Sequence, residues 1–187
     1  MTFGLPKTAL IDGKEYPIRY DYRVILEIIT MLGDPDLSDN DKAEALIEMF
    51  YLNPEEITDY KEAVNQCFCF IDHSDKQVKK RPRLMDWEQD FEYIIAPVNR
   101  VLGFEARAVE YDPVTNTGGL HWWTFLSAYM EMGNDCLFSQ IITIRDKQAR
   151  KQKLEKYEKE WLKRNYDIVN LKQRYSDNEE ELIKAWT

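Results

Sequence analysis

The residues that staple or ligate are scarce in this sequence. Three cysteines cannot pair completely and show no framework spacing, which argues against a disulfide scaffold and suits a reducing cytoplasm. Glycine and proline number seven each, too few for a turn-rich β architecture. No uninterrupted apolar run approaches transmembrane length. The opening Met1-Thr2-Phe3-Gly4-Leu5-Pro6 lacks the charged start and apolar centre of a secretory signal. Basic residues are outnumbered, 25 against 34 acidic, giving a net charge of -9. That argues against a general nucleic-acid binder, whose affinity comes from neutralising phosphates, and against docking on an anionic membrane. It fits a soluble protein that stays dispersed, or one that meets a basic partner.

What is present is a folding composition: 44% hydrophobic and 13% aromatic against 32% charged. Its densest stretch is Leu120-His121-Trp122-Trp123-Thr124-Phe125-Leu126-Ser127-Ala128-Tyr129-Met130-Glu131-Met132, entered through the breaker cluster Thr115-Asn116-Thr117-Gly118-Gly119. Read as a helix, Trp122, Phe125, Leu126, Tyr129 and Met130 share one apolar face, with Trp123 beside it. By spacing alone, such a stripe is the core of a helical domain.

The rest of the chain supports a mainly α protein. Ala9-Leu10-Ile11 and Tyr16-Pro17-Ile18 flank Asp12-Gly13, a hairpin turn pair, with Pro17 confined to an edge. Asp21 caps a helix bearing Val24, Ile25, Ile28, Ile29 and Leu32 and closed by Gly33. Further helices are expected from Ser38 to Leu52, from Thr58 or Asp59 onward, and from Asp86 to Gly103, the last kinked or broken at Pro97. Glu105 to Asp112 has no clean period. From Arg145 to Lys163 interleaved Lys and Glu read as a solvated helix, and Ser176 to Thr187 as a short amphipathic one. Lys76, Lys79, Lys80, Arg81 and Arg83 mark an exposed linker, with a nucleic-acid or peptide-acid patch as the sharper alternative. The expected fold is a multi-helix domain with a small N-terminal β-hairpin and a C-terminal helical extension. Its segments are 1–75, a basic linker 76–85, a Trp-rich helical part 86–144 and a charged extension 145–187, together one folding unit.

Few residues are spaced for chemistry. Cys67-x-Cys69 with His73 suggests a metal, but helical residues two apart point about 200° from each other. His121 lacks a nucleophile motif, and a position at a helix start lets it cap or stay solvated. Gly118-Gly119 has neither phosphate-loop pattern. Acidic pairs such as Glu55-Glu56 suit helix starts through the macrodipole. No cofactor, metal or enzyme activity is expected; the chain reads as a protein that works by contact.

The Trp-Trp helix carries a resemblance as well. With Tyr93-Ile94-Ile95-Ala96-Pro97-Val98-Asn99-Arg100-Val101-Leu102-Gly103, Ile144-Arg145-Asp146-Lys147 and Trp161-Leu162-Lys163-Arg164-Asn165, it resembles the bacteriophage gene-product-fifteen family of tailed phages and prophages of Gram-positive bacteria. The resemblance runs from about Asp86 to Leu171, is looser over residues 1–75, and does not extend past Tyr175. It implies a tail assembly chaperone of siphophages, working in the host bacterial cytoplasm. Its partner would be the tape measure protein, kept soluble until tail-tube protein polymerises around it. The alternative is a structural virion component, a connector or tail-completion protein. A nucleic-acid or host-factor binder acting through Lys76 to Arg83 is a third class. The candidate partner surface is Trp122, Trp123, Phe125, Tyr129 and Met130, with Trp161 and Trp186; self-association is expected, and neither nucleic acid nor membrane.

Overall fold

The computed structural model describes residues 4–72 and 82–172. The protein is mainly α-helical, with a small N-terminal antiparallel hairpin and C-terminal helices. Its described residues form two compact units that are not consecutive in sequence. Residues 4–72 and 107–125 make up unit 1, and residues 82–106 and 126–172 unit 2.

Unit 1 begins with β1 (Thr8–Ile11) and β2 (Lys14–Pro17), paired so that Ala9 faces Tyr16. Asp12 (φ 48°) and Gly13 (φ 78°) make the two-residue turn, whose left-handed conformations this pair tolerates. Ala9, Ile11 and Tyr16 point inward and Leu10 and Glu15 outward, the period-2 alternation of a one-sided hairpin. Past Pro17, Ile18 bridges Tyr51. Arg19 Nη1 then donates to the carbonyls of Glu48, Met49 and Tyr51. These close the C-terminal end of α2, whose last carbonyls have no partner within the helix.

Three helices follow: α1 (Tyr22–Leu32), α2 (Asp39–Phe50) and α3 (Tyr60–Asp72). α1 packs on α2, α2 on α3, and α3 on β1. Each start has a local cause. Asp21 accepts from the Arg23 amide, Ser38 and Asp41 exchange bonds as a capping box, and Asp59 accepts from the Glu62 amide. Of the stripe its spacing predicts, α1 buries Val24, Ile25 and Ile28, with Ile29 and Leu32 half-buried and Tyr22 buried as well. The breaker-rich segment after residue 105 is a second hairpin, β3 (Tyr111–Asp112) with β4 (Thr117–Gly118). Asp112 accepts from the amides of Val114 and Thr115 to shape its turn.

α5 (Trp122–Met130) carries the aromatic stretch, and the division between units falls within it, after Phe125. Unit 2 holds α4 (Trp87–Leu102), the second half of α5, α6 (Leu137–Ala149), α7 (Lys156–Arg164) and α8 (Tyr166–Val169). Pro97 does not break α4. Ile94, Ile95 and Val98 are buried on both sides of it, and that burial offsets a lost backbone bond costing about 3 kcal/mol. Gly103 (φ 78°) closes the helix in the left-handed conformation, its amide bonded to Asn99 O.

The charged C-terminal stretch departs from the solvated helix expected of it. Residues 150–155 interrupt it, with Lys151 at φ 54°, and two of its charges are buried. Arg145 is 4% exposed and uses all five of its N–H donors. Two go to Asp90, two to the carbonyls of Ile168 and Val169, and one to Leu84 O. Glu158 is buried beneath Lys147, whose hydrogen bond holds its carboxyl below the ordinary range. Around Arg145, Ile141, Ile144 and Val169 form an apolar cluster against which Trp161 and Leu162 pack.

Candidate partner-binding groove

The residues that enter α5 are held from both sides of the chain. Tyr22 N donates to Leu120 O and Trp122 N to Tyr20 O, so residues 20–22 and 120–122 run antiparallel for one bridge. Asp21, fully buried, accepts from Leu120 N (2.8 Å) and from the Arg23 side chain. Gly119 lies against it at φ +80°; a Cβ there would stand 2.5 Å from Asp21 Oδ2 and 2.9 Å from the Tyr111 ring. The glycine is therefore required by a close approach as well as by its backbone.

His121 caps α5: its Nδ1 accepts from the Trp123 amide (3.1 Å), and Nε2–H donates to Pro6 O (2.8 Å). A carbonyl only accepts, so Nε2 carries the proton and the ring is neutral. Burial lowers its pKa below 6.5, with nearby Lys7 acting in the same direction.

Of the aromatic residues singled out by spacing, the first three belong to unit 1. Trp122, 2% exposed, donates its indole N–H to Ile71 O, and half-buried Trp123 donates to Phe70 O, each at 2.9 Å. These carbonyls lie in the last described turn of α3, so the adjacent tryptophans hold that turn from α5. Phe125 is fully buried and stacks on Tyr22, with ring centroids 4.5 Å apart. Tyr129, half-buried in unit 2, bonds the Met85 sulfur (3.1 Å) and packs on Trp87 and Phe138; its burial raises the phenol pKa. Met130 is 62% exposed. Trp161 is half-buried, and Trp186 lies outside the described residues. The stripe is thus not one surface: its first turn is core and its last turn opens to solvent.

That last turn borders a groove of about 610 Å³ within unit 2. Leu84, Met85, Tyr129, Met130, Met132, Phe138 and Ile142 supply its apolar lining. A smaller cavity of about 360 Å³ is lined by Ile144, Tyr157, Glu158 and Trp161. The two share Asn134, Ser139 and Thr143, so α6 is flanked by both. Met85 and Phe138 are not singled out by the sequence, and Met132 is marked there only as the end of the aromatic stretch, where it and Met130 are two unbranched apolar side chains flanking Glu131.

Among the described residues no group of His, Cys, Asp and Glu is arranged to hold a metal. Cys67 is buried, and burial pushes its thiol pKa well up, the behaviour of an inert core cysteine. No described helix is long and apolar enough to cross a membrane. His73, Lys76, Lys79, Lys80 and Arg81 lie outside the described residues.

A mainly helical chain with an open, methionine-lined groove and a buried polar framework is what defines this protein. The family model described as Bacteriophage Gp15 protein matches residues 3–171, and the chain belongs to that family. The match takes in the N-terminal segment, where the sequence resemblance is looser. No curated protein and no solved structure matches.

Proposed function

We propose that this phage protein is a tail assembly chaperone. It binds the tape measure protein in the host cytoplasm and keeps it soluble until tail-tube polymerisation. Family membership supports a phage role, and the observation that carries the binding role is the groove beside α6. A holdase must accept many apolar segments of one long client. Three methionines, Met85, Met130 and Met132, give that lining the unbranched, polarizable side chains that repack around different partners. The partner surface is then Tyr129 and Met130 with Trp161. Trp122, Trp123 and Phe125 act from the core of unit 1, and self-association sets how copies line the client. Binding of this kind needs no cofactor and no catalysis.

Co-expression with the tape measure protein, followed by size exclusion with light scattering, tests the reading. A soluble complex, where the tape measure protein alone precipitates, is the expected result. An insoluble tape measure protein with this protein eluting alone would overturn it. Recovery of the protein from purified virions would then favour a structural virion component.

A further inference from the structure

We infer that the 610 Å³ groove of unit 2 takes a basic amphipathic helix: a partner segment with an apolar stripe flanked by Lys or Arg. For the origin of that helix, the inference rests on the chaperone reading. Three observations lead to it. The groove is bordered by the end of α5, the turn at residues 131–134 and α6. No described strand edge lines it, so an extended peptide would find no ladder there for its backbone, whereas a helix satisfies its own. The described lining is mostly apolar, with Glu131, Asn134, Ser139 and Thr143 at its polar part, and the groove is large enough for several side chains from one helix face.

Charge then selects among helices. Among the described residues Glu131 is the one charged residue lining the groove, and it makes no ion pair there. Arg100, a nearby cation, is already committed, to Met132 O at 2.7 Å and to Asp135 at 3.1 Å. In the smaller cavity Glu158 is neutralised by Lys147. The end of α5 and the start of α6 both border the larger groove with opposed partial charges, so Glu131 sets the sign. A net charge of -9 on the whole chain adds a long-range field of the same sign.

The test uses the full chain and two fluorescent helical peptides with the same leucine stripe, one flanked by lysines and the other by glutamates. The lysine peptide is expected to bind about fivefold tighter or more at low ionic strength, with the gap narrowing in salt. Glu131→Lys should narrow that gap at least about twofold. Thr143→Tyr, which fills the groove from an exposed position, should abolish binding of both peptides. Equal binding of the two, or a preference unmoved by Glu131→Lys, overturns the proposal. So does Thr143→Tyr changing the oligomeric state and not peptide binding, which makes the groove a contact between copies. A large gain in affinity on deleting residues 173–187 would make the chain's own tail the occupant and overturn it too. Failure here with a soluble tape measure complex sinks only the basic-helix assignment. Peptide binding as expected with a precipitated tape measure protein sinks only the chaperone reading.

Discussion

Arg145 and Asp90 meet through two near-parallel bonds, Nη1 to Oδ2 at 2.6 Å and Nη2 to Oδ1 at 3.0 Å, with both side chains sealed from solvent. The pair ties α4 to α6, and two of the three remaining donors of Arg145 tie α8 to both, the third reaching Leu84 O. The fork geometry is what makes the knot, because only a planar guanidinium reaches a carboxylate and three carbonyls at once.

Arg145→Lys is therefore a severe change despite its kept charge. Leaving the Asp90 carboxylate buried without its fork should cost about 3–5 kcal/mol. Asp90→Asn should cost a similar amount, and the double variant less than the sum of the two. Urea titration followed by circular dichroism measures all three; a loss under about 1 kcal/mol for Arg145→Lys would refute the account.

Gly119→Ala and Gly13→Ala separate backbone strain from collision. Both glycines sit near φ +80°, but only at Gly119 does a Cβ meet Asp21 and Tyr111; at Gly13 it meets nothing within 4 Å. Each should lose about 1–3 kcal/mol to the left-handed backbone. The Gly119 variant should lose more, through the displaced buried carboxylate. Equal unfolding midpoints would show that Asp21 moves aside freely.

His121 makes stability depend on pH in a definite direction. Its folded-state pKa is lowered, so the unfolded chain binds the proton more readily. The contribution is complete above the ordinary value of 6.5 and is lost as pH falls below it toward the folded pKa. Asp112, Asp135 and Glu158 are lowered through their bonds to Thr115, Arg100 and Lys147, and act only in the carboxylate range further down. Denaturation midpoints between pH 7.5 and 5 should fall in the native protein and stay nearly level in His121→Asn. Parallel curves for the two would remove His121 as the cause.

Trp123→Phe keeps most of the ring and deletes the N–H that Phe70 O accepts. The expected cost is about 1–3 kcal/mol for a carbonyl left without its partner. The signature is regional: amide exchange should quicken in the last described turn of α3 before it changes in α1 or α2. Uniform quickening would mean that the indole acts by bulk alone.

Much of the architecture is legible in the residues themselves. Asp21, Ser38 and Asp86 announce helix starts because a side-chain oxygen near free amides is a local arrangement, and Asp12-Gly13 announces a hairpin for an equally local reason. What escapes is what depends on distance along the chain. Arg145 sits among Lys and Glu and reads as solvated, yet its partner Asp90 is 55 positions away. The β3–β4 hairpin has strands of two residues, too short for any alternation, and rests on side-chain turns at Asp112. In α5 the helix itself is read correctly, but spacing places Met130 on the core face, and a period cannot say that Trp122 and Phe125 are core of unit 1 while Met130 meets water.

The return of residues 107–125 to unit 1 bears on how the protein is made. A ribosome that has released only the first 76 residues has delivered Asp21 without Leu120, and the last described turn of α3 without the two indoles that hold it. The nascent chain must wait for α4 and the second hairpin to be synthesised before its earliest part can lock. A gene cut near residue 76 would then yield a segment without the partners of Asp21 and of the α3 carbonyls, and unit 1 is not complete before Phe125 has been made.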